Sequence, residues 1–262
     1  MSHLMNNYGR LPVSFDHGQG VWLWDKEGHK YLDALAGIAV NSVGHAHPRL
    51  VRAIADQASK LIHCSNYFNI DLQEKVAEKL VEHSGLEAVF FCNSGLEANE
   101  CAIKIARKFG HAKGIEVPNI IVLKHAFHGR SIATLSATGN PSVREDFSPY
   151  TEGFIFVDES DLDGIRKIVE ENKNVVAIFF EPILGEGGVV PIDLSVIKGI
   201  REICDEHDLL MMCDEVQCGM GRSGKWFAHQ WAEIKPDVIT MAKGLAGGVP
   251  VGAVIVSEKA NI

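Results

Sequence analysis

No run of apolar residues in this sequence approaches the roughly 18 that a helical membrane span needs. The N-terminus, Met1 to Tyr8, is polar and lacks the basic-then-apolar order of a secretory signal. A cytoplasmic protein without a membrane partner is therefore expected. Positive charge is also short: 25 Lys and Arg stand against 34 Asp and Glu, a formal charge of −9, and the acids are scattered. Phosphate-backbone recognition needs a basic face, so a nucleic-acid partner is excluded. The six cysteines include no C-x-x-C pair, and several lie in apolar runs such as Phe90-Phe91-Cys92 and Met211-Met212-Cys213. They read as buried free thiols in a reducing compartment, not as disulfides or zinc ligands. Internal repeats and low-complexity segments are absent too.

What the sequence does contain is a recurring unit: a short apolar run, a glycine-containing turn, then an amphipathic stretch. The runs are Ala88–Cys92, Asn119–Leu123, Val175–Phe180, Leu209–Cys213 and Val238–Met241. Each is apolar on both alternations, as strands buried on both faces of a parallel sheet require. Between them, Glu97 to Phe109 places Ala98, Ala102, Ile105 and Phe109 on one helical face, with Gly110 as a stop. Asp71-Leu72-Gln73-Glu74 resembles a capping box leading into Val76, Leu80 and Val81. Ser195 to His207 turns Val196, Ile200, Ile203 and Cys204 toward a core. The alternation predicts an α/β fold with a mostly parallel sheet. The first 60 or so residues differ. Gly18, Gly20 and Gly28 punctuate a hairpin-like Val21-Trp22-Leu23-Trp24, and an amphipathic stretch follows Pro48. Residues 1–62 are read as a smaller N-terminal segment and 63–262 as the sheet domain.

Ligands of an open parallel sheet gather at the carboxyl ends of its strands. Three runs end in reactive side chains: Phe180 precedes Glu181, Cys213 precedes Asp214-Glu215, and Met241 precedes Ala242-Lys243. They are spaced about thirty residues apart, the length of one βαβ unit, so successive units place them on one rim. Either residue alone is more often a solvated loop side chain. A lysine just past a buried strand, followed by Gly244, is partly desolvated and so a nucleophile toward a carbonyl. If the ligand is pyridoxal phosphate, its ring nitrogen needs a carboxylate beside it, and Asp214 is the candidate.

The turn Asn93-Ser94-Gly95-Leu96-Glu97 opens directly into a helix, where backbone N–H groups and the Ser94 hydroxyl suit a phosphate. Taken alone, the turn is more readily an ordinary N-cap, with Ser94 capping and Glu97 completing the box. In His125-Ala126-Phe127-His128-Gly129-Arg130, an aromatic could stack on a flat ring and Arg130 could take a carboxylate. His125, His128, His45 and His47 read as loop or core residues, and no metal is expected. Gly219-Met220-Gly221-Arg222-Ser223-Gly224 fits G-x-G-x-x-G and, with Lys225, nearly a P-loop. Trp226 stands where Ser or Thr belongs, and strand, glycine loop and helix do not follow in immediate succession, so nucleotide binding is rejected.

These residues resemble the class III, fold-type I aminotransferases. The blocks that carry the likeness are Tyr31-Leu32-Asp33, Gly37 to Asn41, Gly44 to Pro48, Asn93 to Glu100, Phe127 to Arg130, Glu181-Pro182 with Gly185 to Gly188, Asp214 to Arg222, and the lysine block at Lys243. The resemblance implies a pyridoxal-phosphate enzyme in which Lys243 carries the cofactor and Asp214, with Glu215 beside it, meets the ring nitrogen. Gln217 would lie near the phenolic oxygen, and Val216 and Phe127 on the two ring faces. Ser94, Gly95 and Leu96 would hold the phosphate, although the family usually has Thr where Leu96 stands. Arg130 would bind the substrate carboxylate, and Glu186 is a further substrate-side position. The implied reaction moves the terminal amino group of an ornithine-like donor to 2-oxoglutarate within a homodimer. N2-acetylornithine is the first choice; ornithine, succinylornithine or 4-aminobutyrate, or an inactive truncated homologue, are the alternatives. Family members run to about 400 residues, so the C-terminal part of a small domain is expected to be missing.

Overall fold

The computed structural model describes residues 3–262, whose contacts divide into two units, one ending at Ser65 and the other spanning Asn66–Ile262. In the first, strands β1 (Phe15–Gln19), β2 (Trp22–Asp25) and β3 (Lys30–Leu32) form an antiparallel meander. Gln19 faces Trp22, so Gly20 and Val21 make the turn, with Gly20 at φ +58°. Val21 thus belongs to the turn and not to the hairpin strand. The amphipathic stretch after Pro48 is the helix Pro48–Ala58, with the proline at its start, where a missing N–H costs nothing.

The second unit is built on strands β4 (Ala88–Cys92), β5 (Asn119–Leu123), β6 (Phe154–Val157), β7 (Val175–Phe180), β10 (Leu210–Asp214), β11 (Val238–Met241) and β12 (Gly252–Val256). A small pair, β8 (Ile183–Leu184) and β9 (Val190–Pro191), stands apart. The seven-stranded sheet runs β4-β12-β11-β10-β7-β5-β6. Only β12 is antiparallel to its neighbours; the other pairings are parallel. β7 is buried at all six positions, and from Ala177 to Phe180 its side chains alternate between two cores. Ile178 and Phe180 join Met211, Cys213, Ile165 and Ile200 on one face. Ala177 and Phe179 join Leu210, Met212, Ala102 and Ala106 of the helix Gly95–Ala112 on the other. The two-residue period of a strand thus sends each apolar run into two cores at once, which is why the run shows no polar alternation.

Several expectations shift. β10 begins at Leu210 and includes Asp214, one residue later than the apolar run. β4 lies at a sheet edge, so Phe90 is 53% exposed and the strand is only half-buried. β6 and β12 are additional strands, and β12 inserts between β4 and β11, partners far from each other in the chain. The box at Asp71 does not form: the helix Asp71–Ser84 already includes Asp71, its cap is Ile70, and no side chain caps it. Val76 is exposed on that helix while Leu80 is buried. On Gly95–Ala112, Ala98, Ala102 and Phe109 are buried as expected and Ile105 is half-buried, but Asn99 is buried among them. All six cysteines are free, and burial pushes the Cys204 thiol up to about 12, which leaves it unreactive.

Because β7 is central in the sheet and buried at every position, truncating one of its side chains should be felt in the core. Ile178→Ala is expected to lower the unfolding free energy by about 2–5 kcal/mol, read from urea unfolding at neutral pH. A loss well below 1 kcal/mol would show that neighbouring side chains refill the space.

Candidate active site

Register alone brings the reactive residues to one rim. Phe180 of β7 pairs with Cys213 of β10, so the next residues, Glu181 and Asp214, stand side by side. Asp214 pairs with Thr240 of β11, and Lys243 follows three residues beyond it. β4 points the same way and ends at Cys92, just before the turn into the helix Gly95–Ala112. β5 delivers the 124–131 loop.

Asp214 is almost fully buried and its carboxylate has three donors. Oδ2 accepts from Asn99 Nδ2 at 2.7 Å and from His128 Nδ1 at 2.8 Å; Oδ1 accepts from the Val216 N–H at 3.0 Å. A carboxylate acceptor assigns the proton to Nδ1 of His128, whose ring stacks on Phe179 at 4.1 Å. Asn99 also donates to the His128 carbonyl at 2.7 Å. Neither residue is among the candidates above: Asn99 carries no role there, and His128 is read as a loop or core residue. The signal for Asn99 was available, since a polar side chain on the alanine face of a helix demands a buried partner.

The helix start combines both readings of its turn. Ser94 Oγ accepts from Glu97 N at 3.2 Å, while the Glu97 carboxylate accepts from Asn93 N at 2.7 Å and from the Ser94 hydroxyl at 3.3 Å. Among the described residues, the next two N–H groups, on Gly95 and Leu96, have no acceptor and remain for an anion. A methyl group on Gly95 would fall 2.6 Å from Val216 Cγ1, so only glycine lets the turn come this close to the strand that carries Asp214. Gln217 is packed over Gly185 in the same manner, with Oε1 2.0 Å from where a methyl would stand.

Glu181 links the two loops that hold the candidate substrate residues. It accepts from the N–H of Phe127 at 2.8 Å and of Gly185 at 3.2 Å, three residues before Arg130 and one before Glu186. Burial, then the neighbouring Asp214, push its carboxyl up to about 7. Phe127 is half-buried, with the exposed Arg130 guanidinium 5.7 Å from its ring centroid, and Glu186 is exposed. Glu215 points elsewhere: its buried carboxylate accepts from Ala228 N, His229 N and His229 Nδ1 at 2.7–2.9 Å, its N–H donates to the Thr240 carbonyl at 2.9 Å, and its own carbonyl accepts from the Gly219 N–H at 3.0 Å. Lys243 is half-buried and makes no ion pair or side-chain hydrogen bond among the described residues. Its φ of +40° is a left-handed conformation that costs a non-glycine residue about 1 kcal/mol.

Sequence comparison matches the class-III aminotransferase model to residues 4–261. The chain belongs to the class-III aminotransferases. It is 54% identical to the acetylornithine aminotransferase of Nitrosomonas europaea over 99% of this chain and 66% of that protein. It therefore spans just under two thirds of the length of that relative. Among solved structures, the ornithine aminotransferase of Toxoplasma gondii superposes with a TM-score of 0.93 at 34% identity, over 98% of this chain and 62% of that one. The N-acetylornithine aminotransferase of Stenotrophomonas maltophilia gives 0.84 at 39% identity, over 97% and 64%. Class-III aminotransferases depend on pyridoxal phosphate. The donor set here fits that group: a fixed buried carboxylate, two open N–H groups at a helix start beside a glycine cradle, and an unpaired lysine on one rim.

Glu181 should tie stability to pH. Its carboxyl titrates near the ordinary 4.5 in the unfolded chain and at about 7 in the fold, so the folded state holds an extra proton between those values. The associated stabilisation is full below about 4.5 and lost as pH rises through about 7. The stability of Glu181→Gln relative to the native chain should therefore improve over that window by on the order of a few kcal/mol. Urea unfolding at a series of pH values checks this, and a difference that stays flat with pH would contradict the protonated carboxyl.

Proposed function

We propose that this protein transfers the terminal amino group of N2-acetyl-L-ornithine to 2-oxoglutarate, giving N-acetyl-L-glutamate 5-semialdehyde and L-glutamate, a step of arginine biosynthesis. The observation that carries the chemistry is the buried Asp214 carboxylate, held by three donors on the rim that also presents Lys243. The choice of donor rests on the 54% identity to the Nitrosomonas europaea enzyme. Pyridoxal phosphate, when bound, supplies an aldehyde for the donor amine and a ring that takes up the electron pair of the broken C–H bond.

This chain's residues do the rest. Asp214 keeps a negative charge beside the ring nitrogen, Gly95 and Leu96 offer their N–H groups to the phosphate, and Ser94 frames the turn. Val216 and Phe127 would flank the ring, and Gln217 would lie near its phenolic oxygen. Lys243 Nζ holds the cofactor. Displaced by the donor amine, the freed Nζ would take the proton from the carbon that bears the transferred amine, and in the second half-reaction would deliver one to the carbon that becomes the α-carbon of glutamate. Arg130 binds the substrate carboxylate through its two-pronged guanidinium, and Glu186 sits at the substrate side. A cytoplasmic homodimer is the proposed form, supported by the family resemblance; among the described residues, no helix is long and apolar enough to cross a membrane.

Ornithine is the second reading, favoured by the TM-score of 0.93 to the Toxoplasma gondii enzyme. Backbone likeness weighs less here than sequence identity, because the two donors differ only by an acyl group that side chains must recognise. Steady-state kcat/KM for acetylornithine against ornithine decides between them, and a preference for ornithine would reverse the assignment.

Borohydride reduction of the cofactor-loaded protein followed by peptide mapping is expected to find the pyridoxyl group on Lys243. A label on Lys124 or Lys225 would overturn the site. Arg130→Lys should raise KM about tenfold for both acetylornithine and 2-oxoglutarate, because a point charge does not reproduce the paired donors. An effect on one substrate alone would mean that the two carboxylates use different sites.

A further inference from the structure

We infer that Asn99 is a positioning residue for the transamination, an internal strut that sets where Asp214 stands relative to the phosphate end of the cofactor site. The inference rests on the pyridoxal-phosphate reading of that site. Asn99 lies four residues, about one helical turn or 6 Å of rise, beyond Gly95 on the same helix. The N–H groups that face the phosphate and the amide that grips the carboxylate therefore belong to one rigid element.

Three observations separate this from ordinary packing. Both oxygens within reach of Nδ2, Asp214 Oδ2 and the His128 carbonyl, are acceptors at 2.7 Å. The amide orientation is therefore forced, since the flipped form would set an oxygen against two oxygens. The opposite atom, Asn99 Oδ1, is buried without a protein partner, a desolvation cost that a residue serving only the core would avoid. Ala98, Ala102 and Ala106 fill the neighbouring buried positions of the helix with no such cost. The second donor to Asp214 Oδ2 is His128, a residue of the 124–131 loop whose ring stacks on Phe179, so the carboxylate is gripped from the Gly95–Ala112 helix and from the β5 loop. Without Asn99, Oδ2 keeps one donor and the carboxylate is free to turn away from the ring nitrogen.

The test compares two ligands that differ at one ring atom: pyridoxal phosphate and its 1-deaza analogue, in which a C–H replaces the ring nitrogen. Each is titrated by absorbance into the native chain and into Asn99→Ala, which alanine's helix preference should let fold. The native chain should favour pyridoxal phosphate, because only that ligand meets Asp214. In Asn99→Ala the ratio of the two dissociation constants should shrink at least about fivefold, chiefly through weaker binding of pyridoxal phosphate. His128→Asn, whose amide nitrogen falls near the position of Nδ1, should keep most of the ratio, and His128→Leu should lose it. Equal weakening of both ligands in Asn99→Ala, with the ratio preserved, would show that Asn99 only packs and would overturn the inference. If the native chain binds pyridoxal phosphate at Lys243 but no more tightly than the analogue, Asp214 is not at the ring nitrogen and the strut has no function. If the native chain forms no adduct at Lys243, the cofactor reading itself falls, and the inference with it.

Discussion

A carboxylate that is almost wholly out of water must have its lone pairs satisfied by the protein, and at Asp214 this requirement organises the whole rim. Leaving such a group unpartnered would cost several kcal/mol, a large share of a domain's net stability. Three donors meet it, and they come from parts of the chain that are far apart: the amide of Asn99, the imidazole of His128 and the backbone N–H of Val216. Each donor fixes its own neighbourhood. Asn99 aligns the helix that starts at Gly95, His128 anchors the β5 loop against Phe179, and Val216 holds the turn that packs on Gly95. A single buried carboxylate thus fastens the turn that opens the Gly95–Ala112 helix, the 124–131 loop and the strand end to one another.

The three acidic residues at this rim have three different electrostatic solutions. Asp214 is held by side-chain and backbone donors. Glu215 next to it turns into the 228–229 backbone and His229, where four groups, counting the Cys218 thiol, donate to it. Glu181, level with Asp214 on the adjacent strand, has only two backbone donors and the Asp214 charge beside it, and its carboxyl is pushed up to about 7. Burial and a neighbouring carboxylate both disfavour ionisation, and it is Glu181, with the fewer donors, whose carboxyl is raised. Glu181 in turn holds the loops of Phe127 and Gly185 through their N–H groups.

The likeness to known aminotransferases extends over nearly the whole chain, yet specificity within the family does not follow from the shared backbone. The Toxoplasma gondii and Stenotrophomonas maltophilia enzymes superpose on the same sheet at TM-scores of 0.93 and 0.84, although their names give different amino donors. Side chains rather than the shared backbone carry that difference, and Arg130 and Glu186, the positions proposed to meet substrate, are exposed in this chain.

Much was legible from local pattern. Apolar runs on both alternations marked β5, β7, β10 and β11, because a strand buried on both faces tolerates no polar position. Their spacing put Glu181, Asp214 and Lys243 on one rim, since a right-handed βαβ unit returns each strand in the same direction. The turn before the helix Gly95–Ala112 was readable as an N-cap at Ser94 for an equally local reason. Other features had no local signal. β12 takes its place only by pairing with β4 and β11, and β4 is half-exposed because it lies at an edge, which depends on strand order. The direction of the Glu215 side chain and the roles of Asn99 and His128 also depend on which groups meet after folding. Residue type and spacing decide what a segment can offer, whereas the partners of a buried polar group come from distant segments, so only the tertiary structure could assign Asp214 its donors.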